Sequence, residues 1–260
     1  AFDPPVLHAG EAALRECLQH LGTCTPEARA LARKLGGMKE ATLGDPMHAL
    51  GHFDRCAIVG NSGAMLEREY GRYIDAHDVV VRINVLENHR YHASLGNKTD
   101  FRVLSYKMSK DVCCFMPPEK HTPENDHLTY LIWFPANRKE VADRIRARYS
   151  HPVREMLPKH TESLVHVFKI FREEFLRLGF GPFEDWEYLT SGMHAVLTFI
   201  RHCKSVDVYG FTTDVHSSGP YWFTGRQKPP RSGKSQHSWD HERLTLRTLA
   251  AAGLINVCSG

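Results

Sequence analysis

Several features that define large protein classes are missing from this sequence. No apolar run approaches the length of about 18 residues that a membrane-spanning helix needs, so no such helix is predicted. Neither an internal repeat nor an HExxH metalloprotease sequence is present. A net charge of only +3 over 260 residues does not favour nucleic-acid binding. What remains is a globular composition, 42% hydrophobic and 24% charged, long enough for one sizeable α/β core.

The seven cysteines leave two interpretations open. Buried free thiols are typical of cytosolic proteins, whereas disulfides are typical of secreted ones. An odd number leaves at least one thiol unpaired or intermolecular, and Cys258 is a candidate partner for Cys17 or Cys24. The triplet Asn97-Lys98-Thr99 is an N-glycosylation sequon, a pattern compatible with secretion that also arises by chance.

Apolar runs that alternate with helical patterns predict an α/β fold. We expect a single Rossmann-like domain with a largely parallel sheet and helices on both faces. An N-terminal helical segment, residues 1–50, is expected to pack on a domain of residues 51–260; it is irregular before a helix from Thr25 to about Gly36. Strands are expected at 55–60, 79–83, 101–106, 128–134, 206–211 and 255–257. Helices are expected at 63–70, 137–149, 161–178, 191–203 and 240–251.

A strand followed by a glycine turn gives the first indication of a binding site. The apolar run 56–59 leads into Gly60-Asn61-Ser62-Gly63 and then into a segment of helical composition, an arrangement suited to anions. The turn matches neither GxGxxG nor a P-loop, and an ordinary βα turn is the alternative. Asn84 ends the second predicted strand, so Asn61 and Asn84 are expected to face one crevice at the carboxyl ends of the strands.

Three motifs in order resemble those of the eukaryotic sialyltransferase family. CAIVGNSG, YGRYIDAHDVVVRIN and LGNKTDF, between residues 56 and 101, resemble its large sialylmotif. YLTSGM, from Tyr188, and VDVYGF, from Val206, are similar to its small sialylmotif. His237 and Glu242, with four residues between them in HSWDHE, fit its very short motif. No motif is placed before Gly51 or in residues 107–185.

The resemblance implies an inverting glycosyltransferase with a GT-A-like variant of the fold. Such an enzyme moves sialic acid, or the related acids Kdn or Kdo, from its cytidine monophosphate (CMP) ester to a glycan hydroxyl, with a galactose-terminated acceptor expected. It needs no metal and no other cofactor. The resemblance also implies a Cys56–Cys203 disulfide and a type II membrane protein of the Golgi lumen, whose N-terminal anchor is outside this sequence. No nucleic-acid partner is expected.

The motifs assign roles to individual residues. His237 is the candidate general base, because imidazole accepts a proton near neutral pH, with Glu242 and His216 in support. The residues expected to bind the CMP donor are Asn61, Ser62, Gly63, Asn84, Thr190, Ser191, Gly192, Tyr221 and Trp222.

Departures from the family pattern keep other interpretations open. Ala64 stands where many members have Asn, and the aromatic third motif at Tyr221-Trp222 lacks its usual His and acid. A non-catalytic nucleotide-sugar or glycan-binding relative is therefore one alternative. A metal-dependent hydrolase using His237 and His241 is another. Residues 217–235, rich in Ser, Gly, Pro and basic side chains, are expected to form either a lid or a basic surface loop.

Overall fold

A parallel sheet organises the chain in the computed structural model, which describes residues 7–42, 50–84, 89–116, 123–134, 138–186, 188–211, 213 and 237–258. The described strands form one seven-stranded sheet in the order β5-β4-β3-β2-β1-β6-β7. Every neighbouring pair is parallel. The strands are β1 Phe53–Val59, β2 Val79–Ile83, β3 Phe101–Leu104, β4 Thr129–Ile132, β5 Val153–Glu155, β6 Cys203–Tyr209 and β7 Asn256–Val257.

Helices cover both faces of this sheet. On β1, Cys56 and Ile58 pack in the cluster that holds the long C-terminal helices, while Ala57 and Val59 pack on the other side. The predicted α/β fold with helices on both faces is confirmed. Among the described residues, no helix combines the length and the apolar content needed to cross a membrane. The helices are α1 Ala9–Gln19, α2 Pro26–Thr42, α3 Gly71–Asp75, α4 His92–Leu95, α5 Tyr106–Cys114, α6 Arg138–Arg148, α7 Pro158–Arg177, α8 Ser191–Phe199 and α9 Trp239–Ala251.

The N-terminal segment differs from the prediction in two ways. The residues expected to be irregular form α1, which buries Leu14, Cys17 and Leu18 on one face. The predicted stop at Gly36 is wrong, because α2 continues through it to Thr42. A Cβ at Gly36 would lie 2.9 Å from Cδ1 of Leu254, so this glycine permits a close packing contact inside a helix.

Two further boundaries were wrong for reasons of local capping. The segment predicted as a helix over 63–70 is a short 3₁₀ helix, Gly63–Glu67. The third strand ends at Leu104 because Ser105 caps α5, its hydroxyl accepting a hydrogen bond from the N–H of Met108 at 3.3 Å. Residues 107–185, which carry no motif, contain most of α5, then β4, α6, β5 and α7.

Three disulfides are present in the described residues. Cys56 is bonded to Cys203, with Cα atoms 6.0 Å apart and a sequence separation of 147. A chain-entropy argument for so long a loop gives a stabilisation of about 5 kcal/mol. Cys17 is bonded to Cys24, and Cys113 to its neighbour Cys114. The expected pairing of Cys258 with Cys17 or Cys24 is therefore wrong, and Cys258 is a free thiol after β7.

Buried titratable groups are an unusual part of the core. His160, His194 and His241 are 6%, 2% and 0% exposed. Burial disfavours the charged ring and lowers the pKa of His160 to about 4 and those of His194 and His241 to about 3. Glu242 is 6% exposed, and burial raises its pKa to about 7 against the opposing hydrogen bonds from Thr190. The three rings are therefore neutral in the folded protein at mildly acidic pH.

We predict that the fold loses stability as the pH falls from about 6.5 to 5. The unfolded chain protonates all three histidines in this window, whereas the folded chain leaves them neutral, and proton uptake by folded Glu242 offsets about one of the three. The net difference of about two protons lowers the free energy of unfolding by about 2–3 kcal/mol per pH unit. Urea denaturation at pH 7, 6 and 5 measures this slope.

A matched pair of variants tests the origin of the slope. His241→Leu removes one buried titrating ring and should reduce the slope by about 1.4 kcal/mol per pH unit. His166→Leu, on the exposed side of α7, should leave it unchanged. A free energy of unfolding that stays flat or rises on acidification would contradict the prediction.

Candidate functional site

The candidate site lies where the strand order reverses direction. The chain builds outwards from β1 to β5 on one side, and β6 and β7 continue on the other, so β1 and β6 flank the switch point. Ligands of open parallel sheets bind outside the carboxyl ends of the strands at such a point. Here Gly60 follows β1 and Gly210 follows β6; a Cβ on Gly60 would lie 2.5 Å from the carbonyl oxygen of Gly210. The two turns thus meet backbone to backbone.

The aromatic ring of Phe211 brings the two sialylmotif turns together. Ideal Cβ positions at Gly60 and Gly192 lie 3.2 and 2.9 Å from its ring carbons. Gly60 begins the large-motif turn, and Gly192 lies in the first turn of α8 in the small motif. The predicted donor-binding turns are therefore neighbours in the fold.

Asn61 and Asn84 each make a hydrogen bond to the end of the neighbouring strand or to the residue that follows it. The Asn61 Nδ2 group donates to the carbonyl oxygen of Ile83 at 3.1 Å. Asn84 has a left-handed backbone, with φ of 57°, and its Oδ1 accepts from the N–H of Ser105 at 3.0 Å. Among the described residues, the Asn84 Nδ2 group makes no hydrogen bond, so this donor is available at the carboxyl edge of the sheet.

Ser62 and Gly63 form the start of the short 3₁₀ helix in the glycine turn. The Ser62 hydroxyl accepts from the N–H of Ala64 at 3.3 Å and so caps that helix. Ala64 occupies the position where many family members have Asn, and its backbone N–H is used by this cap. The turn is therefore held by its own local hydrogen bond.

Thr190 and Glu242 form a buried polar clamp between the small and very short motifs. The backbone N–H of Thr190 donates to Glu242 Oε1 at 2.8 Å, and its hydroxyl donates to Oε2 at 2.6 Å. The same hydroxyl accepts from the N–H of Met193 at 3.1 Å, which caps α8. Both hydrogen-bonding functions of this hydroxyl are used inside the protein. Of the two small-motif hydroxyls, that of Ser191 is the one whose hydrogen has no acceptor among the described residues.

His237 lies immediately before α9, with one ring nitrogen fixed by the backbone. Its Nδ1 lies 2.7 Å from the carbonyl oxygen of Tyr188. A carbonyl oxygen can only accept, so Nδ1 carries the hydrogen and the lone pair of the neutral ring is on Nε2. Burial lowers the pKa of His237, and the Tyr188 hydrogen bond acts in the opposite direction. A neutral ring with this tautomer is the form that a general base requires.

His241 does not join His237 as a second metal ligand. It lies in the core, stacked on Phe168 with ring centroids 3.6 Å apart and flanked by Phe183 at 5.4 Å. Within the described part of the chain, no group of three or more His, Cys, Asp or Glu side chains is arranged to hold a metal ion. The position of His241 removes the geometric basis of the hydrolase alternative.

Some of the predicted site residues lie outside the described part of the chain, and some contacts at the site were not predicted from the sequence. His216, Tyr221, Trp222 and the predicted loop 217–235 lie outside the described residues. The sequence did not predict that Tyr188 would orient His237. It also assigned no role to Trp133, although a residue that follows a buried strand at the carboxyl edge of the sheet is a candidate for the site.

Sequence comparison relates this chain to known proteins. The chain matches the family described as Glycosyltransferase family 29 (sialyltransferase) over residues 27–254. A chicken (Gallus gallus) CMP-N-acetylneuraminate-beta-galactosamide-alpha-2,3-sialyltransferase 1 is 28% identical over 230 residues, which are 83% of this chain and 62% of that protein. A beta-1,6-galactosyltransferase of Arabidopsis thaliana, GALT29A, is 27% identical over 175 residues, covering 60% of this chain and 42% of that protein. The chain thus spans less than two thirds of the length of these relatives.

A solved mammalian sialyltransferase in complex with Gal-beta-1-3GalNAc-ortho-nitrophenol has the same fold. Its TM-score is 0.52 at 19% sequence identity, and the superposition covers 98% of this chain and 88% of that one. The family match extends over nearly the whole described chain and includes all three motifs that meet at the switch point. This chain belongs to glycosyltransferase family 29, the sialyltransferase family.

Proposed function

We propose that this protein is an inverting glycosyltransferase that moves a sugar acid from its CMP ester to a glycan hydroxyl. Sialic acid is the first candidate for the sugar, and Kdn and Kdo share the same activated group. The carrying observation is the hydrogen bond from His237 Nδ1 to the Tyr188 carbonyl, which leaves Nε2 as the proton acceptor. Family membership and the name of the chicken relative support the donor class.

The proposed reaction is a single displacement at the anomeric carbon. Nε2 of His237 takes the proton of the acceptor hydroxyl as its oxygen bonds to that carbon. The bond from the carbon to the phosphate oxygen of CMP breaks, and the phosphate leaves with the electron pair. The N–H groups of Ser191 and Gly192 at the start of α8 and the Asn84 amide are suited to this developing negative charge. In this proposal the phosphate is stabilised by protein donors, and no metal is needed.

The remaining donor-site residues have either a direct or an indirect role in this proposal. Asn61, Ser62 and Gly63 form the turn nearest the phosphate, and the Gly192 N–H and the Ser191 hydroxyl lie at the start of α8. The Thr190 hydroxyl has an indirect role, because its hydrogen bond to Glu242 holds the small-motif turn in place.

The acceptor and the compartment complete the proposal. A galactose-containing acceptor is supported by the names of the chicken relative and of the solved complex. Three disulfides support an oxidising compartment, and the family supports the Golgi lumen with a type II anchor. Bonds from Arg247 on α9 to the carbonyls of Leu18 and Gln19 support residues 1–50 as a segment packed on a catalytic domain of residues 51–260.

A second candidate is transfer of galactose from a nucleotide-activated donor. The Arabidopsis relative is named a beta-1,6-galactosyltransferase and matches 60% of this chain. Ala64 and the altered third motif are departures at the expected donor side, where a change of donor would act. A preference for uridine over cytidine nucleotides would favour this candidate.

Replacing His237 tests its role as the base. We predict that His237→Gln lowers kcat by about 10²- to 10⁴-fold, because the proton acceptor acts in the transition state. The affinity for CMP should stay within a few-fold of the wild-type value. Steady-state kinetics and calorimetry with CMP measure the two quantities.

The same substitution at an exposed histidine provides the control. His166→Gln, on α7, should leave both kcat and CMP affinity unchanged. If His237→Gln retains kcat within about threefold of wild type, His237 is not the base, because positioned general bases contribute far more.

Replacing Asn84 tests the nucleotide site. Asn84→Asp keeps an oxygen for the Ser105 N–H and a side chain that tolerates the left-handed backbone, but it loses the Nδ2 donor. We predict that the Kd for CMP rises by at least about 10- to 150-fold, because the variant loses a hydrogen bond to a charged group and its new carboxylate repels the phosphate. Calorimetry with CMP, uridine monophosphate and NAD measures affinity and selectivity, and a melting curve checks the fold.

The wild-type protein should bind CMP more tightly than uridine monophosphate or NAD. Equal affinity for the three ligands, or tighter binding of NAD, would count against a cytidine nucleotide as the donor's leaving group. Unchanged CMP affinity in Asn84→Asp would remove Asn84 from the donor site.

A further inference from the structure

A buried contact links the end of β4 to the first residue of α8. The indole Nε1–H of Trp133 donates to the hydroxyl oxygen of Ser191 at 2.8 Å. Trp133 and Ser191 are 5% and 6% exposed, so solvent competes little for this hydrogen bond. Indole nitrogen is a donor only, which fixes the Ser191 oxygen as the acceptor. The single hydrogen of the Ser191 hydroxyl must therefore point to a different partner.

Nothing within the described residues accepts that hydrogen. Thr190, the adjacent hydroxyl, donates its own hydrogen to Glu242 Oε2 at 2.6 Å. Ser191 is thus the small-motif hydroxyl that remains able to donate at the start of α8. The N-terminal end of this nine-residue helix favours a negatively charged partner.

The indole is itself held in one orientation. The ring of His194, one turn along α8, stacks on Trp133 with centroids 4.1 Å apart and planes 23° apart. His194 is 2% exposed, and on the β4 side the Phe134 ring meets the indole edge-on, with ring centroids 5.5 Å apart. Rotation of Trp133 would need both contacts to break.

We propose that Trp133 is a positioning residue for the donor site: its indole N–H occupies the Ser191 oxygen and directs the Ser191 O–H towards an anionic oxygen of the bound donor. The inference rests on the proposed function and adds a residue to it. A CMP-activated sugar acid has two anionic groups that can accept this hydrogen bond, the phosphate and the sugar carboxylate.

A double-mutant cycle tests the inference. Trp133→Phe keeps an aromatic ring against His194 and loses the N–H, whereas Ser191→Ala loses the hydroxyl. For a phosphate contact, Ser191→Ala should raise the Kd for CMP by about 10-fold or more, and Trp133→Phe by about 3- to 10-fold. The double variant should bind CMP no more weakly than Ser191→Ala, because both act through one hydroxyl. For a carboxylate contact, the same pattern should appear in the KM for CMP-sialic acid, with CMP binding unchanged.

A second tryptophan provides the control. Trp186→Phe, where the indole meets Phe168 edge-on at 5.0 Å, should change neither CMP affinity nor donor KM. The inference is overturned if Trp133→Phe behaves like Trp186→Phe, or if its effect multiplies fully with that of Ser191→Ala, as a general packing defect would. A wild-type protein that binds neither CMP nor CMP-sialic acid would refute the proposed function itself, a result distinct from either of these.

Discussion

The parallel pairing of β1 with β6 is the constraint on which the site depends. It aligns Ala57 with Asp207 across the two strands and brings the turns that follow them to the same edge. The approach of Gly60 to the Gly210 carbonyl leaves no room for side chains there, and the ring of Phe211 fills the space between the two motif turns. The Cys56–Cys203 disulfide joins the same two strands covalently. Large and small sialylmotifs are therefore halves of one structural unit.

Polar contacts then convert this unit into a site with defined donors and acceptors. The Thr190–Glu242 clamp uses a buried carboxylate to fix the start of α8, and the Tyr188 carbonyl fixes the tautomer of His237. The first contact holds the small-motif turn, and the second sets the lone pair of the neutral His237 ring on Nε2, so hydrogen-bond donors and the basic nitrogen belong to different parts of the site. That separation suits a displacement in which one group accepts a proton while others stabilise a leaving anion.

Local sequence patterns predicted most of the sheet and the order of the motifs. The bounds of β2, Val79–Ile83, agree with the predicted strand at 79–83 because four of its five buried residues are β-branched and apolar, with Arg82 the exception. The three-residue β5 was missed because so short an edge strand has almost no pattern of its own. Gly36 was misread because a glycine that permits close packing has the same local sequence as one that ends a helix.

The contacts that define the site were harder to predict than its residues. Motif resemblance identified Thr190, Glu242 and His237 individually. It could not pair Thr190 with Glu242, 52 residues away, or Trp133 with Ser191, 58 residues away, because such pairs depend on how β4, α8 and α9 pack. Neutral buried histidines such as His194 and His241 also leave no local pattern, since only tertiary burial sets their charge state.

A donor screen tests the central claim most directly. The protein is incubated with CMP-N-acetylneuraminate, CMP-Kdn, CMP-Kdo and UDP-galactose in turn, with and without a galactose-terminated glycan, in excess chelator, and nucleotide release is followed. The proposed function predicts release of CMP from at least one CMP-sugar acid, increased several-fold by the acceptor. Release from UDP-galactose alone, release only after a metal is restored, or no release from any of the four donors would contradict it.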